Sequence, residues 1–318
     1  MKELSSDLKV LQDETLSNLK NSKAANTLRA YKSDYKDFSL FCVRHGLKSM
    51  PSDPKIVSLY LTNLNKLDIK ISTLRRRLVS IGVIHKLKGH YLDTKHPIIV
   101  ENLLGIKRSK GSIQRGKKPI LINHLKQIIE VINKEKLPEI KKIRDKSLIL
   151  IGFSGGFRRS EIIAIDYEDI EFVDEGMKIL VKKSKTDQFS VGHLKGIPYF
   201  SDKSLCPVEL LKKFLEISKI KSGAIFRKFN KGFSLSNSRL TDQSVALLIK
   251  KYLSNAGFDS ASYSGHSLRS GFATVTAEAG SDERSIMAMT GHKTTQMVRR
   301  YIREANIFKN NALNKVKL

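Results

Sequence analysis

The sequence predicts a mainly α-helical protein with one small antiparallel β-sheet, divided into an N-terminal helical domain and a C-terminal α+β domain. Three observations carry this expectation. Apolar residues recur at three- and four-residue steps through most of the chain, which is the helical period. Residues 107–118 read Lys-Arg-Ser-Lys-Gly-Ser-Ile-Gln-Arg-Gly-Lys-Lys, a stretch with almost nothing to bury. A short alternation of apolar and polar residues at 178–183 is the mark of a strand with one buried face.

In the first half, Leu28, Tyr31, Tyr35, Phe38 and Phe41 fall on one helical stripe. Asp53-Pro54, followed by Ile56, Leu59, Tyr60 and Leu64, opens a second helix, with aspartate as the cap and proline in the first turn, where an N–H is not needed. A third helix from Ser72 turns Leu74, Leu78 and Ile81 inward and leaves Arg75, Arg76 and Arg77 largely outward. A fourth follows Pro97 through Ile98, Leu103 and Leu104. The first domain is therefore placed at residues 1–108, a basic linker at 109–118 and the second domain at 119–318. In the second domain, helices are expected over 125–132 and 146–153. A small sheet follows, built from the alternation at 178–183, a polar turn at 184–188 and residues 189–200. Helices then continue to the end.

Charge narrows the choice of partner. The chain of 318 residues carries a formal charge of +27, and its pI is about 10.0. Residues 1–118 hold 24 Lys and Arg against 10 Asp and Glu, and residues 119–318 hold 34 against 21, so both halves are basic. An excess spread this way suits a polyanion, with double-stranded DNA as the first candidate. No long apolar run, secretory leader or lipidation motif is present in the sequence, so no membrane role is expected. Cys42 and Cys206 lie far apart without metal-ligand spacing and are expected as buried free thiols of a reduced, cytoplasmic compartment.

Three clusters carry the chemistry. Ser154-Gly155-Gly156-Phe157-Arg158-Arg159-Ser160-Glu161 ends an apolar helix and sets Arg158 and Glu161 three residues apart, facing one way on a new helix. A guanidinium at a helix start can offer a phosphate two hydrogen bonds, with the first-turn amides adding positive potential. Ser264-Gly265-His266-Ser267-Leu268-Arg269 puts His266 and Arg269 on one side of a helix. Gly291-His292-Lys293 is followed by Tyr301, nine residues after His292. Singly, each is equally a helix cap, a surface ion pair or a core aromatic; together, their order is what counts.

In that order the sequence resembles the tyrosine recombinase family, which includes the lambda-type integrases, the bacterial Xer recombinases and Cre. The family presents an arginine in a Gly-x-Arg-x-x-Glu box, a lysine in a β-turn, a His-x-x-Arg box and a Gly-His or Gly-Trp pair ahead of a nucleophilic tyrosine. Position by position, the resemblance implies Arg158, Lys185, His266, Arg269, His292 and Tyr301 as catalytic residues, with Glu161 as the accessory acidic residue. It covers nearly the full chain and is closest in layout to Cre, notably in residues 263–269, in Arg300-Tyr301-Ile302-Arg303 and in the helical first domain. Cre has tryptophan at the position of His292, where the wider family usually has histidine. The lysine assignment has neighbours, since Lys182 and Lys183 lie beside the same turn, but Ser184-Lys185-Thr186 matches the family's turn best.

The resemblance further implies a SAM-like helical core-binding domain followed by the recombinase catalytic domain, a chemistry without metal or other cofactor, and a DNA partner. Ser72, Thr73, Arg75 and Arg76 match the helix that enters the major groove in Cre-like proteins, and Lys118 belongs to the basic linker; these are the expected DNA-binding residues. Apolar positions Ile302, Ala305, Ile307, Phe308, Ala312, Leu313 and Val316 suggest a last amphipathic helix, which in the family docks on a neighbouring subunit. The implied assembly is a dimer on each site and a homo-tetramer on two paired sites. A telomere resolvase, a type IB topoisomerase and a catalytically silent DNA-binding protein share enough of this pattern to stand as alternatives.

Overall fold

The structure is a computed structural model, and it describes residues 10–11, 14, 25–110, 116–182, 192–292, 294–305 and 314. The chain divides into two compact units, Met1–Gln114 and Arg115–Leu318.

Among the described residues of the first unit, four helices surround one core: α1 (Ala25–Arg44), α2 (Pro54–Lys66), α3 (Ile71–Leu87) and α4 (Pro97–Lys110). Phe38 and Cys42 of α1 meet Val57, Tyr60, Leu61 and Leu64 of α2, Leu74 and Ile81 of α3, and Ile99, Leu103 and Ile106 of α4. The Asp53 side chain accepts from the Lys55 N–H at 2.7 Å, and Pro54 occupies the first turn of α2. His85 is completely enclosed; its Nδ1 faces the Ile81 carbonyl at 2.8 Å while Nε2 accepts from the Ser52 N–H at 3.1 Å. That pairing requires the neutral Nδ1–H tautomer, and burial lowers the pKa accordingly. Helix α3 is tied to α1 by buried Asp34, which holds Arg76 and Ser80, and α3 also reaches Asp37 and Tyr60 through Arg77.

The second unit is built round α6 (Glu139–Ser154), whose final turns are buried on every side from Ser147 onward. Around it lie α5 (Ile122–Lys134), α7 (Arg159–Ala164), α8 (Pro207–Ser218), α9 (Asp242–Asn255), α10 (Ser267–Glu278), α11 (Glu283–Thr290) and α12 (Thr295–Ala305). Tyr252 of α9 donates to buried Asp145 of α6 at 2.6 Å, a polar tie between two core helices. Strands β1 (Ile170–Val173), β2 (Gly176–Val181) and β3 (His193–Pro198) form an antiparallel sheet in that order, with Ile179 of β2 opposite Lys195 of β3. Met177, Ile179 and Val181 point inward, as the alternation predicts. Strands β4 (Arg227–Phe229) and β5 (Leu235–Arg239) make a separate hairpin.

The architecture is the mainly helical one expected, with three local differences. Helix α4 runs through Lys110, two residues past the expected end of the first domain: Ile106 is still buried, and Lys107, Arg108 and Lys110 suit the negative end of the helix dipole. Helix α3 begins at Ile71, one residue before Ser72. Strand β1 and the β4–β5 hairpin were not anticipated; β4 and β5 are largely polar and show little alternation in burial. The expected polar turn at 184–188 lies outside the described residues, as does the apolar pattern from Ile307 to Val316. Cys42 and Cys206 are both free and buried. Among the described residues no helix is long and apolar enough to cross a membrane.

Candidate active site

The site begins where α6 stops. Gly156 takes a left-handed conformation, with φ +54°, that a side chain would strain, and this turn drops Phe157 into the core beneath Gly155. Arg158 then caps α7. Its N–H donates to Glu161 Oε2 at 2.9 Å, its guanidinium pairs with Glu161 Oε1, and Nη2 donates to the Gly291 carbonyl at 3.3 Å. A glutamate at the third position of a helix that reaches back to the cap amide is half of a capping box, so one side chain both starts the helix and orients its arginine.

The second cationic group comes from α10. Ser264 and Ser267 cap that helix reciprocally: the Ser264 N–H donates to Ser267 Oγ, and the Ser267 N–H to the Ser264 carbonyl, both at 2.9 Å. Arg269 follows and is 1% exposed. Its Nη1 donates to the Gly156 carbonyl at 2.9 Å and lies 4.0 Å from Glu161 Oε2. Nε and Nη2 are enclosed and find no acceptor among the described residues. Each buried donor left so costs about 1–3 kcal/mol unless a ligand accepts from it. Burial, and then repulsion from Arg158, push the Arg269 pKa down to about 10.

His292 is positioned by the end of α11, where Gly291 supplies the left-handed cap with φ +61°. The Thr290 hydroxyl donates to the Ile286 carbonyl at 2.6 Å and therefore accepts from His292 Nδ1 at 2.8 Å. The neutral ring thus carries its proton on Nδ1 and presents a bare Nε2. Burial, followed by Arg269, Arg158, His266 and Lys195, pushes the His292 pKa down to about 4. His266 has its pKa lowered too, by desolvation first and then by Arg269, Arg158 and Arg159. The His266 residue is exposed at the surface, and a bound anion would offset the guanidinium charges around it.

Tyr301 sits on α12, packed against Ala273, Ala277, Ile286 and Val298. Its ring lies 6.3 Å from that of His292, inclined by 30°, and its phenol is close enough to Arg269 to favour the charged guanidinium. Tyr301 and His266 line one cleft of about 350 Å³, with Lys117, Ser264 and Arg300 also on its wall. The structure thus brings Arg158, Glu161, His266, Arg269, His292 and Tyr301 into one neighbourhood of a single chain. Lys185 and Lys183 lie outside the described residues. Lys182 is held 2.7 Å from Asp169 and 3.6 Å from Asp166, which raises its pKa and occupies it elsewhere. One site residue escaped sequence reading: Lys195 of β3, fully enclosed and 3.8 Å from Glu161 Oε2. Its place two residues before buried Ile197 in an alternating strand was the available signal.

Residues 120–306, which hold Arg158, Glu161, His266, Arg269, His292 and Tyr301, match the model of the phage integrase family. The chain belongs to the phage integrase family. An integrase/recombinase XerD homologue from Selenomonas ruminantium is 42% identical over 301 residues, covering 94% of this chain and 87% of that one. Two solved structures share the fold at low identity. The XerH site-specific recombinase bound to palindromic difH substrate in a post-cleavage complex has a TM-score of 0.60 at 18% identity, over 82% of this chain and 74% of that one. A lambda integrase dimer bound to a COC′ core site has a TM-score of 0.59 at 16% identity, over 99% and 81%. The family match begins at Ile120, so the first unit of this phage integrase lies outside it.

Of the expected DNA-binding positions, Ser72 and Arg75 are exposed on α3 and Thr73 is half-buried. Arg76 is paired with Asp34, which competes for its guanidinium. Lys118 is exposed, and its N–H donates to the Ser262 carbonyl at 2.9 Å, tying this basic segment to the chain just ahead of His266.

Proposed function

We propose that this tyrosine recombinase cuts and rejoins DNA through a covalent bond between Tyr301 and a backbone phosphate, with all of its phosphate-gripping groups drawn from one chain. The observation that carries the reading is the enclosed guanidinium of Arg269, whose Nε and Nη2 find no acceptor among the described residues. A planar fork of two parallel N–H groups matches two oxygens of a phosphodiester. Charge that builds on the nonbridging oxygens during attack meets cations already in place, which is where fixed donors lower a barrier most.

In the proposed sequence the Tyr301 hydroxyl attacks phosphorus, and its proton passes to His266, which is neutral at working pH and so able to accept. The P–O bond to the 5′ side breaks, and the departing 5′ oxygen takes a proton, assigned to Lys185. The product is a 3′-phosphotyrosine. Because one phosphoester replaces another, a 5′ hydroxyl from a second strand can reverse the step and reseal DNA, giving a Holliday junction after one exchange. His292 can donate from Nε2 only as the imidazolium. A bound phosphate offsets the repulsion from Arg158 and Arg269 and thereby promotes that protonation.

The first unit is proposed as the DNA core-binding domain. Ser72, Thr73, Arg75 and Arg76 would face bases, and Lys118 would contact the backbone. The assembly proposed is a dimer on each site and a homo-tetramer on two paired sites, joined through the segment after Tyr301. The reading is tested with nicked duplexes made from DNA flanking the coding sequence, in which loss of a short 5′ fragment prevents religation. Wild-type chain is expected to accumulate a covalent protein–DNA adduct and Tyr301→Phe none. An adduct that persists in Tyr301→Phe refutes the mechanism.

A further inference from the structure

Lys195 takes no part in the steps above, yet it lies directly behind them. It is the inward-facing residue of β3, with no solvent exposure. Its Nζ donates to the Gly155 carbonyl at 2.8 Å, sits 4.1 Å from the centre of the Phe157 ring, and stands 3.8 Å from Glu161 Oε2. One ammonium therefore touches the turn at three points: its first carbonyl, the aromatic anchor beneath it, and the carboxylate that orients Arg158.

A buried charge is a poor device for stability alone, because an apolar side chain of similar volume fills such a space without the desolvation penalty. The arrangement of charge supplies a better reason. Glu161 is the carboxylate facing Arg158, Arg269 and Lys195 together. Glu161 Oε2 lies 4.0 Å from Arg269 Nη1, so a turn of the carboxylate toward Arg269 would neutralise the guanidinium that a phosphate needs. Lys195 attracts that same oxygen from 3.8 Å.

We propose that Lys195 is a positioning residue for strand transfer: its ammonium clamps the Gly155–Glu161 turn and holds Glu161 back, so that Arg158 and Arg269 stay open to the scissile phosphate. The inference rests on the reading of those two arginines as the phosphate grip. Among the described residues, four charged or titratable groups face it: Glu161, Arg269, Arg158 and, from the end of α11, His292. Burial first, then Arg269 and Arg158, weaken the charged form and bring the Lys195 pKa down to about 7, against the opposing pull of Glu161. The clamp is therefore charged below neutral pH in the free protein and releases above it, and a bound phosphate anion moves that release upward.

The test is the single-turnover rate of covalent capture by the full chain across pH 6–9.5. The substrate is the nicked duplex captured from the flanking-DNA set. Wild type is expected to lose rate on the alkaline side, although alkali favours the phenolate. Lys195→Met is expected to be about 10²-fold slower at pH 6, the size of effect a misplaced catalytic group produces, with half-saturating DNA concentration little changed. Lys195→Arg, charged throughout, is expected to recover most of that rate and to lose the alkaline fall. If the methionine variant does not fold, the arginine profile decides. Wild type without an alkaline fall, or a Lys195→Arg profile superimposable on wild type, overturns the proposal while the recombinase reading stands. Absence of any Tyr301-dependent adduct in wild type overturns both.

Discussion

Replacing Arg269 with lysine keeps a positive charge and removes the fork. In the structure Nη1 is committed to the Gly156 carbonyl, and Nε and Nη2 find no acceptor among the described residues. A lysine at this position brings one ammonium in place of that planar pair, so at least one fixed donor to the phosphate is lost. Loss of a single preorganised donor of this kind costs about 10²–10³ in rate, or roughly 2.7–4 kcal/mol. We therefore expect Arg269→Lys to capture nicked DNA 10²–10³-fold more slowly in single turnover, and Arg269→Met to lose a further factor of similar size. Affinity for the duplex should fall only a few-fold, since it is spread over many phosphate contacts, with the salt dependence reduced by about one unit of slope. Stability separates this from a folding defect. Burial first, and then repulsion from Arg158, have driven the Arg269 pKa down to about 10, so removing the charge relieves a desolvation penalty as well as that repulsion, and the melting temperature of Arg269→Met should not fall. Capture by Arg269→Lys within tenfold of wild type would refute the reasoning, as would a rate loss matched by an equal loss of DNA affinity or by early melting.

Two further outcomes follow from the same geometry. His292 has its folded pKa lowered to about 4, so between that value and its ordinary unfolded one near 6.5 the unfolded chain binds more protons, and stability must rise with pH across that interval. The contribution is at most ~3 kcal/mol; His292→Gln should flatten the pH dependence of thermal melting between pH 4 and 6.5, and an unchanged slope would show that the ring is not buried among the arginines. On α3, Arg75→Ala should relax base preference at one position of the site by about 1–3 kcal/mol, whereas Lys118→Ala should weaken binding evenly across sequences and lower the salt slope by about one. Selection from a randomised duplex pool distinguishes the two, and an unaltered preference with Arg75→Ala would remove that residue from base reading.

How much the sequence disclosed depended on whether a residue's role was local. The stripe of Phe38 and Phe41, the Asp53-Pro54 start and the inward positions of β2 are short-range patterns, and the structure follows them. The chemical groups were legible because each sits in its own short box, even though the pairing of Arg269 with the Gly156 carbonyl spans more than a hundred residues. The partners that set their charge were harder to see. Nothing near Arg76 in sequence shows that Asp34 holds it, and nothing near Lys182 shows its place between Asp166 and Asp169. Lys195 was passed over because a lysine in a strand ordinarily faces water. Its burial depends on Phe157 and Glu161, which arrive from another part of the fold. Polar β4 and β5 carry too little alternation to announce a hairpin.

The central claim is that one phenol becomes bonded to DNA in a pocket lined by two guanidiniums. Mass spectrometry of the protease-digested adduct from a nicked duplex tests it most directly. The account predicts a single cross-linked peptide containing Tyr301, joined to a 3′ phosphate, with the 5′ end released as a free hydroxyl. A cross-link at any other side chain, or a phosphate retained on the 5′ end, would contradict it.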